Sequence, residues 1–192
     1  AVPADCTVLV IAGPRAQLAQ QEVEALKKYF QGPGRILLML APPPAPTFED
    51  LFLTPFDIKV RNDIVVDPRN GWVTAVGAYP SHAITTPMRS LGTLFILARS
   101  LDITRPKSYE PGSHVTELAK SASDSWGETN VYNLEYTEGK DAKGPLVIAA
   151  AAQQELGPPT PPEEQEKEEK PKQTRRVVVI GSWQAAANAF TR

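Results

Sequence analysis

Residues Ile36 to Leu40 read Ile-Leu-Leu-Met-Leu, five apolar side chains in unbroken succession. Successive side chains of a strand point to opposite faces, so such a run must be covered on both sides of its sheet. Thr7 to Ala12 is a second β-branched and apolar run, ended by Gly13-Pro14. Between the two, Ala16 to Gln31 has helical periodicity. Leu18, Val23, Leu26 and Phe30 lie near one face, with Gln20, Glu24, Lys27 and Lys28 outside. Gly32-Pro33-Gly34 stops that helix. Strand, helix and strand at this spacing make a βαβ unit, and a continuously apolar strand suits a parallel sheet.

Further along, Ala41 to Pro46 is a Pro-rich joint, and Phe48 to Pro55 reads as a short helix with Thr47 as its N-cap. Asp63 to Asp67 is a third strand, closed by Pro68. Trp72 to Tyr79, Thr93 to Leu97, Val115 to Ala119, Val131 to Tyr136 and Pro145 to Ala152 are further strand candidates, with Ser81 to Arg89 as a loop. Arg175-Arg176 leads into Val177-Val178-Val179-Ile180-Gly181, after which Trp183 to Phe190 looks helical. The expected fold class is therefore α/β: a mostly parallel sheet with helices on both faces, in a single domain spanning 1-192. Residues 155-174 form a Pro/Glu/Lys-rich stretch without an apolar face to bury, read as a disordered surface loop.

Composition narrows function by exclusion. Twenty Lys and Arg against 22 Asp and Glu leave a net charge of -2, without the basic surplus of a nucleic-acid binder. Hydrophobic residues make up 42% of the chain, enough for a packed core. Cys6 is the only cysteine, so no intrachain disulfide forms, and a Cys-rich zinc site is excluded. His82 and His114 are the only histidines and lie far apart in the chain, which argues against a multi-His metal site unless carboxylates complete one. No stretch approaches the roughly 18 to 20 apolar residues that span a bilayer. The chain begins at Ala1, which suggests a processed or excised piece of a larger protein.

Several clusters carry polar chemistry. Asp124-Ser125-Trp126-Gly127-Glu128-Thr129 combines an indole with carboxylates and hydroxyls, a composition suited to stacking on a sugar or docking a protein. His82-Ala83-Ile84-Thr85 places an imidazole near hydroxyls. Arg99 follows an apolar strand as a solvated strand end or a carboxylate's partner. Gly13-Pro14-Arg15 occupies the strand-to-helix turn where α/β proteins bind anions, but lacks a G-x-G-x-x-G or Walker pattern. Gly181-Ser182-Trp183 is not the G-x-S-x-G of a nucleophile elbow.

Taken in order, these segments resemble the soluble domain of gliding-motility-type ABC transporter auxiliary proteins. The resemblance rests on Thr7 to Pro14, Gly34 to Pro42, Ile58 to Pro68, His82-Ala-Ile-Thr85, Leu94 to Leu101, Ser121 to Glu128, Gly139 to Leu146 and Val177 to Asn188. It covers nearly the whole chain outside the charged loop. Ala83 stands where the family has proline, and Gly181 to Asn188 lacks the family's acidic pair. The resemblance, together with the related N-terminal domain of an intraflagellar transport subunit, implies a flavodoxin-like or class I glutamine amidotransferase-like sandwich used for interaction.

It further implies a membrane-anchored parent with this domain on the extracytoplasmic, periplasmic side, beside ABC transporter permease and ATPase subunits. The expected function is non-catalytic binding of a saccharide-like ligand or docking of a subunit, with no cofactor and no metal. His82, Thr85, Ser125, Trp126 and Glu128 are the candidate binding residues. The alternatives are a hydrolase or amidotransferase-like enzyme, using Ser182 or Cys6 beside His82 or His114, and a pure interaction scaffold with a large exposed apolar patch.

Overall fold

The computed structural model describes residues 1–77, 79–103, 112–130, 132, 134–157 and 173–186. Strand β1 (Leu9–Ala12) runs parallel to β2 (Arg35–Met39), with Leu9 opposite Ile36 and Ala12 opposite Met39. Helix α1 (Gln20–Gln31) makes the crossover. The Glu22 carboxylate accepts the Ala19 N–H at 2.8 Å, satisfying one free donor of the first turn. The helix begins four residues later than its apolar periodicity suggests, because Ala19 is still extended. On the far side of β2 lies β12 (Thr174–Ile180), also parallel, with Val177 opposite Ile36. The βαβ reading holds for this corner.

Beyond β12 the sheet changes sense. Strand β11 (Val147–Glu155) is antiparallel to β12, from Ala149 opposite Ile180 to Glu155 opposite Thr174. The other edge of β11 is shared by β7 (Leu101–Ile103) and β8 (Ser113–Lys120), both antiparallel, with register shifts between Val147 and Ala150. Strand β3 (Ile58–Val60) pairs antiparallel with β7, giving a seven-stranded sheet ordered β1-β2-β12-β11-β7-β3 with β8 beside β11. Strands β4 (Ile64–Val66), β9 (Trp126–Glu128) and β10 (Ala142–Lys143) form a three-stranded antiparallel sheet. Strands β5 (Val73–Val76) and β6 (Thr93–Ile96) form an antiparallel pair.

Alternation along β12 divides the core. Val177 and Val179 face a cluster containing Phe30, Leu38, Phe52 and Phe56. Phe30 meets the Phe52 ring edge-on at 5.4 Å. Val178 and Ile180 pack on a second cluster containing Val65, Val76, Phe95 and Ile148. Helix α1, the π-helical turn Glu49–Leu53 and the 3₁₀ turn Thr54–Phe56 cover the first face, while strands cover the second.

The expected mostly parallel sheet with helices on both faces is thus corrected, and the flavodoxin-like and amidotransferase-like assignments fall with it. Only β1, β2 and β12 are mutually parallel. The continuous apolar runs do require cover on both faces, but burial is indifferent to whether a helix or a strand provides it. Thr47 does not cap a helix: Phe48, at φ 55°, opens the π-helical turn without a side-chain cap. The described residues within 131–136 form no strand. Most of the 155–174 stretch, residues 158–172, lies outside the described residues. The strands pair right up to it, the Leu156 N–H donating to the Gln173 carbonyl at 2.8 Å. Of the expected closing helix, Trp183–Ala186 is a 3₁₀ turn, and 187–192 lie outside the described residues.

Candidate functional site

Trp126 and Glu128 are two residues apart on β9 and so share a face. The indole N–H donates to Glu128 Oε2 at 3.0 Å, and the Asn130 N–H donates to Glu128 Oε1 at 2.8 Å. Glu128 is 2% exposed, and both its oxygens serve the chain's own donors. Ser125 is also buried. Its hydroxyl lies 2.6 Å from Ser121 Oγ and 2.7 Å from the Ala122 carbonyl. Ser121 Oγ in turn accepts the Leu146 N–H at 2.8 Å. These residues lock the β8–β9 turn onto the start of β11.

His82 and Thr85 lie between β5 and β6. His82 Nδ1 accepts the Ile84 N–H at 3.1 Å. The His82 carbonyl accepts the N–H groups of Thr85 and Thr86 at 3.0 and 2.8 Å. The buried Thr85 hydroxyl donates to the Pro80 carbonyl at 2.6 Å. Together they start the 3₁₀ turn Thr86–Met88. No hydrogen bond among the described residues joins this turn to the β9 group, so the five expected binding residues form two separate structural knots.

The candidate nucleophiles are not paired with a base. Ser182 is fully buried, with its hydroxyl 2.6 Å from the Ile96 carbonyl and 3.2 Å from Gln184 Oε1. Cys6 is half-buried ahead of β1, and His114 is exposed on β8 opposite Gln153. No described hydrogen bond joins Ser182 or Cys6 to a histidine. At the ends of the parallel strands, Gly13 has φ 59° and lies against the Trp183 ring, where a Cβ would clash. The Arg15 guanidinium sits 5.8 Å from that ring's centroid. Trp183 Nε1 is the one buried side-chain polar atom without a partner among the described residues.

Arg99 is not a solvated strand end, and no ion pair to it is found among the described residues. It is 2% exposed and donates from Nε to the Arg61 carbonyl at 3.1 Å and from Nη1 to the Ala45 carbonyl at 2.9 Å. Burial pulls its pKa down, against the opposing fields of Asp63 and Glu49. Asp63, also buried, accepts the Ser100 N–H at 2.9 Å and the Ser100 hydroxyl at 2.6 Å. Burial raises its pKa despite these bonds and the nearby Arg61 and Arg99. Together Arg99 and Asp63 tie the Pro-rich joint and the β3–β4 turn to β7.

What the sequence reading missed is Asp141. Its Oδ1 accepts the Thr129 N–H at 3.2 Å and the Thr129 hydroxyl at 3.0 Å, and its Oδ2 accepts the Thr137 N–H at 2.7 Å. One buried carboxylate therefore staples both ends of the segment between them. That segment displays Tyr132, 96% exposed, with Leu134 and Tyr136 also exposed. The available signal was a run of alternating large apolar residues between polar ones. Ile84, Leu91 and Leu94 are exposed as well, on or between β5 and β6. Among the described residues, no group of three or more His, Cys, Asp or Glu side chains is arranged to hold a metal. No helix there is long and apolar enough to cross a membrane.

This geometry defines a β-rich domain, with a mixed sheet between a helical layer and a strand layer. No protein-family model matches the chain, and no curated protein matches it. The solved mmIFT52 N-terminal domain is similar in fold, with a TM-score of 0.53 at 18% identity, covering 94% of this chain and 67% of that one. The expected likeness to the N-terminal domain of an intraflagellar transport subunit is thereby supported as a likeness of fold alone. The same comparisons offer no support for the gliding-motility-type transporter family.

Proposed function

We propose that this domain is a non-catalytic docking module that engages its partner through the Asp141-stapled segment 129–137. The observation that carries the reading is the exposure of Tyr132, Leu134 and Tyr136 on a segment whose base is hydrogen-bonded shut. Large side chains held in water on an anchored loop are unfavourable alone and become favourable once a partner covers them. Tyrosine suits such a surface because its large ring loses little rotamer freedom on binding. The small-ligand version of the reading has less support, because Ser125, Thr85 and Glu128 are already engaged internally.

The order of the sequence motifs supports a particular setting. In it, the domain belongs to an auxiliary component of an ABC-type, gliding-motility-like transport system, on the extracytoplasmic face of the membrane, with permease and ATPase subunits as partners. The test is co-expression of the full-length protein with the permease and ATPase encoded beside it, followed by affinity capture. Tyr132→Asp, and separately the Leu134→Asp/Tyr136→Asp double variant, are expected to lose the captured subunits while keeping the wild-type melting curve. Undiminished capture by both variants overturns the assignment of the surface. Absence of permease and ATPase genes from the neighbourhood overturns the transporter setting.

A further inference from the structure

Strand β1 is an outer edge of the seven-stranded sheet. The Gly13 N–H donates to the Met39 carbonyl at 2.8 Å. Backbone groups alternate in direction along a strand, so Leu9, Ile11 and Gly13 aim theirs at β2, while Val8, Val10 and Ala12 aim theirs outward. No described hydrogen bond takes up those outward groups. The side chains of Val8 and Val10 are about half exposed, at 50% and 53%. The opposite edge is handled differently. On β3 the Val60 N–H is taken by the Glu49 carboxylate at 2.6 Å, and Lys59 is exposed. A charge and an occupied donor are usual defences of a sheet edge, and β1 carries neither.

We infer that β1 pairs with β1 of a second copy of this chain, antiparallel about a two-fold axis through Val10. Two observations select this occupant. The edge is self-complementary in that register: Val10 faces the partner copy's Val10, and Val8 faces the partner copy's Ala12, so every outward group finds a complement. The apolar row of Val10, Leu37 and Val178 across β1, β2 and β12 continues into its own copy across the axis. The pairing is independent of the docking segment and stands or falls separately from it.

Sedimentation equilibrium of the protein tests the pairing. The expected result is a dimer that Val10→Lys dissociates, with an unchanged circular dichroism spectrum, because position 10 is exposed and its N–H makes no intrachain ladder bond. Mixing V10K with V10E is expected to restore a dimer containing one of each, since only this register sets position 10 against position 10. A second route does not depend on the charged variants folding. With Cys6→Ser, Val10→Cys is expected to form a disulfide-linked dimer on mild oxidation and Val8→Cys is not, because directly opposed residues lie about 5.5 Å apart at Cα. A wild-type monomer at the highest soluble concentration, a dimer that V10K leaves intact, or equal cross-linking at positions 8 and 10 overturns the inference.

Discussion

Gly127 lies so close to the Asp63 carboxylate that a Cβ at position 127 would overlap Asp63 Oδ2. Gly127 is the middle residue of β9 and pairs with Val65 of β4. The buried acid therefore rests directly on strand backbone. Gly127→Ala should destabilise the fold by about 1–3 kcal/mol, the usual range for overpacking. Denaturant unfolding would measure it, and the penalty should shrink when the same change is made beside Asp63→Ala, because the two sites are in contact.

Two buried aspartates should give opposite pH signatures. Burial raises the pKa of Asp63 in the fold, so the native state holds that proton more tightly than the unfolded chain. Its contribution to stability should fall as pH rises from the ordinary aspartate value of about 3.9 through the folded value. For Asp67, burial also works upward but is outweighed by the Arg69 N–H, by hydrogen bonds from the Arg69 side chain and by its charge, so the folded pKa is lowered. Its contribution should be present above the unfolded value and lost as pH falls through the folded one. Unfolding free energies of wild type, Asp63→Asn and Asp67→Asn across the acid range would show the wild-type advantage shrinking with rising pH for Asp63 and growing for Asp67.

The Trp126 indole fixes Glu128 as well as packing beside it. Trp126→Phe should cost about 1–3 kcal/mol, because Glu128 Oε2 loses its donor while remaining buried. A binding residue of the kind expected from sequence would show the reverse, lost partner affinity at unchanged stability. Thermal melts of Trp126→Phe and Glu128→Gln, alone and combined, would distinguish the two through their coupling.

Asp141 should govern docking without touching the partner. Asp141→Ala frees the Thr129 and Thr137 donors and should cost about 1–3 kcal/mol. Segment 129–137 should then exchange its amide hydrogens faster, and partner capture should weaken. Wild-type exchange at Thr129 and Thr137 in that variant would mean the staple does not hold the segment.

The local elements were legible where a few neighbouring residues decide them. The apolar runs at Leu9, Ile36 and Val177 are strands, and Phe30 marks the buried side of α1, because periodicity and the Gly-Pro stops act within one or two turns of chain. The site was legible only in outline. Trp126 and Glu128 do belong together, being two positions apart on one strand, but nothing local indicated that they bind each other. The exposed Tyr132, Leu134 and Tyr136 lay in a segment whose apparent strand pattern misled.

By its sequence alone, then, this protein required strands covered on both faces and one crossover helix, since those follow from side-chain order along the chain. Tertiary structure decided that the second cover is strands, that β11 runs against β12, and that Asp63, Arg99 and Ser182 are structural anchors. The partners of those anchors are Ser100, Ala45 and Ile96, at separations of 37, 54 and 86 residues. A hydrogen bond across such distances leaves no trace in local pattern. It forms only because burial strips both groups of water and makes an unpaired donor or acceptor costly.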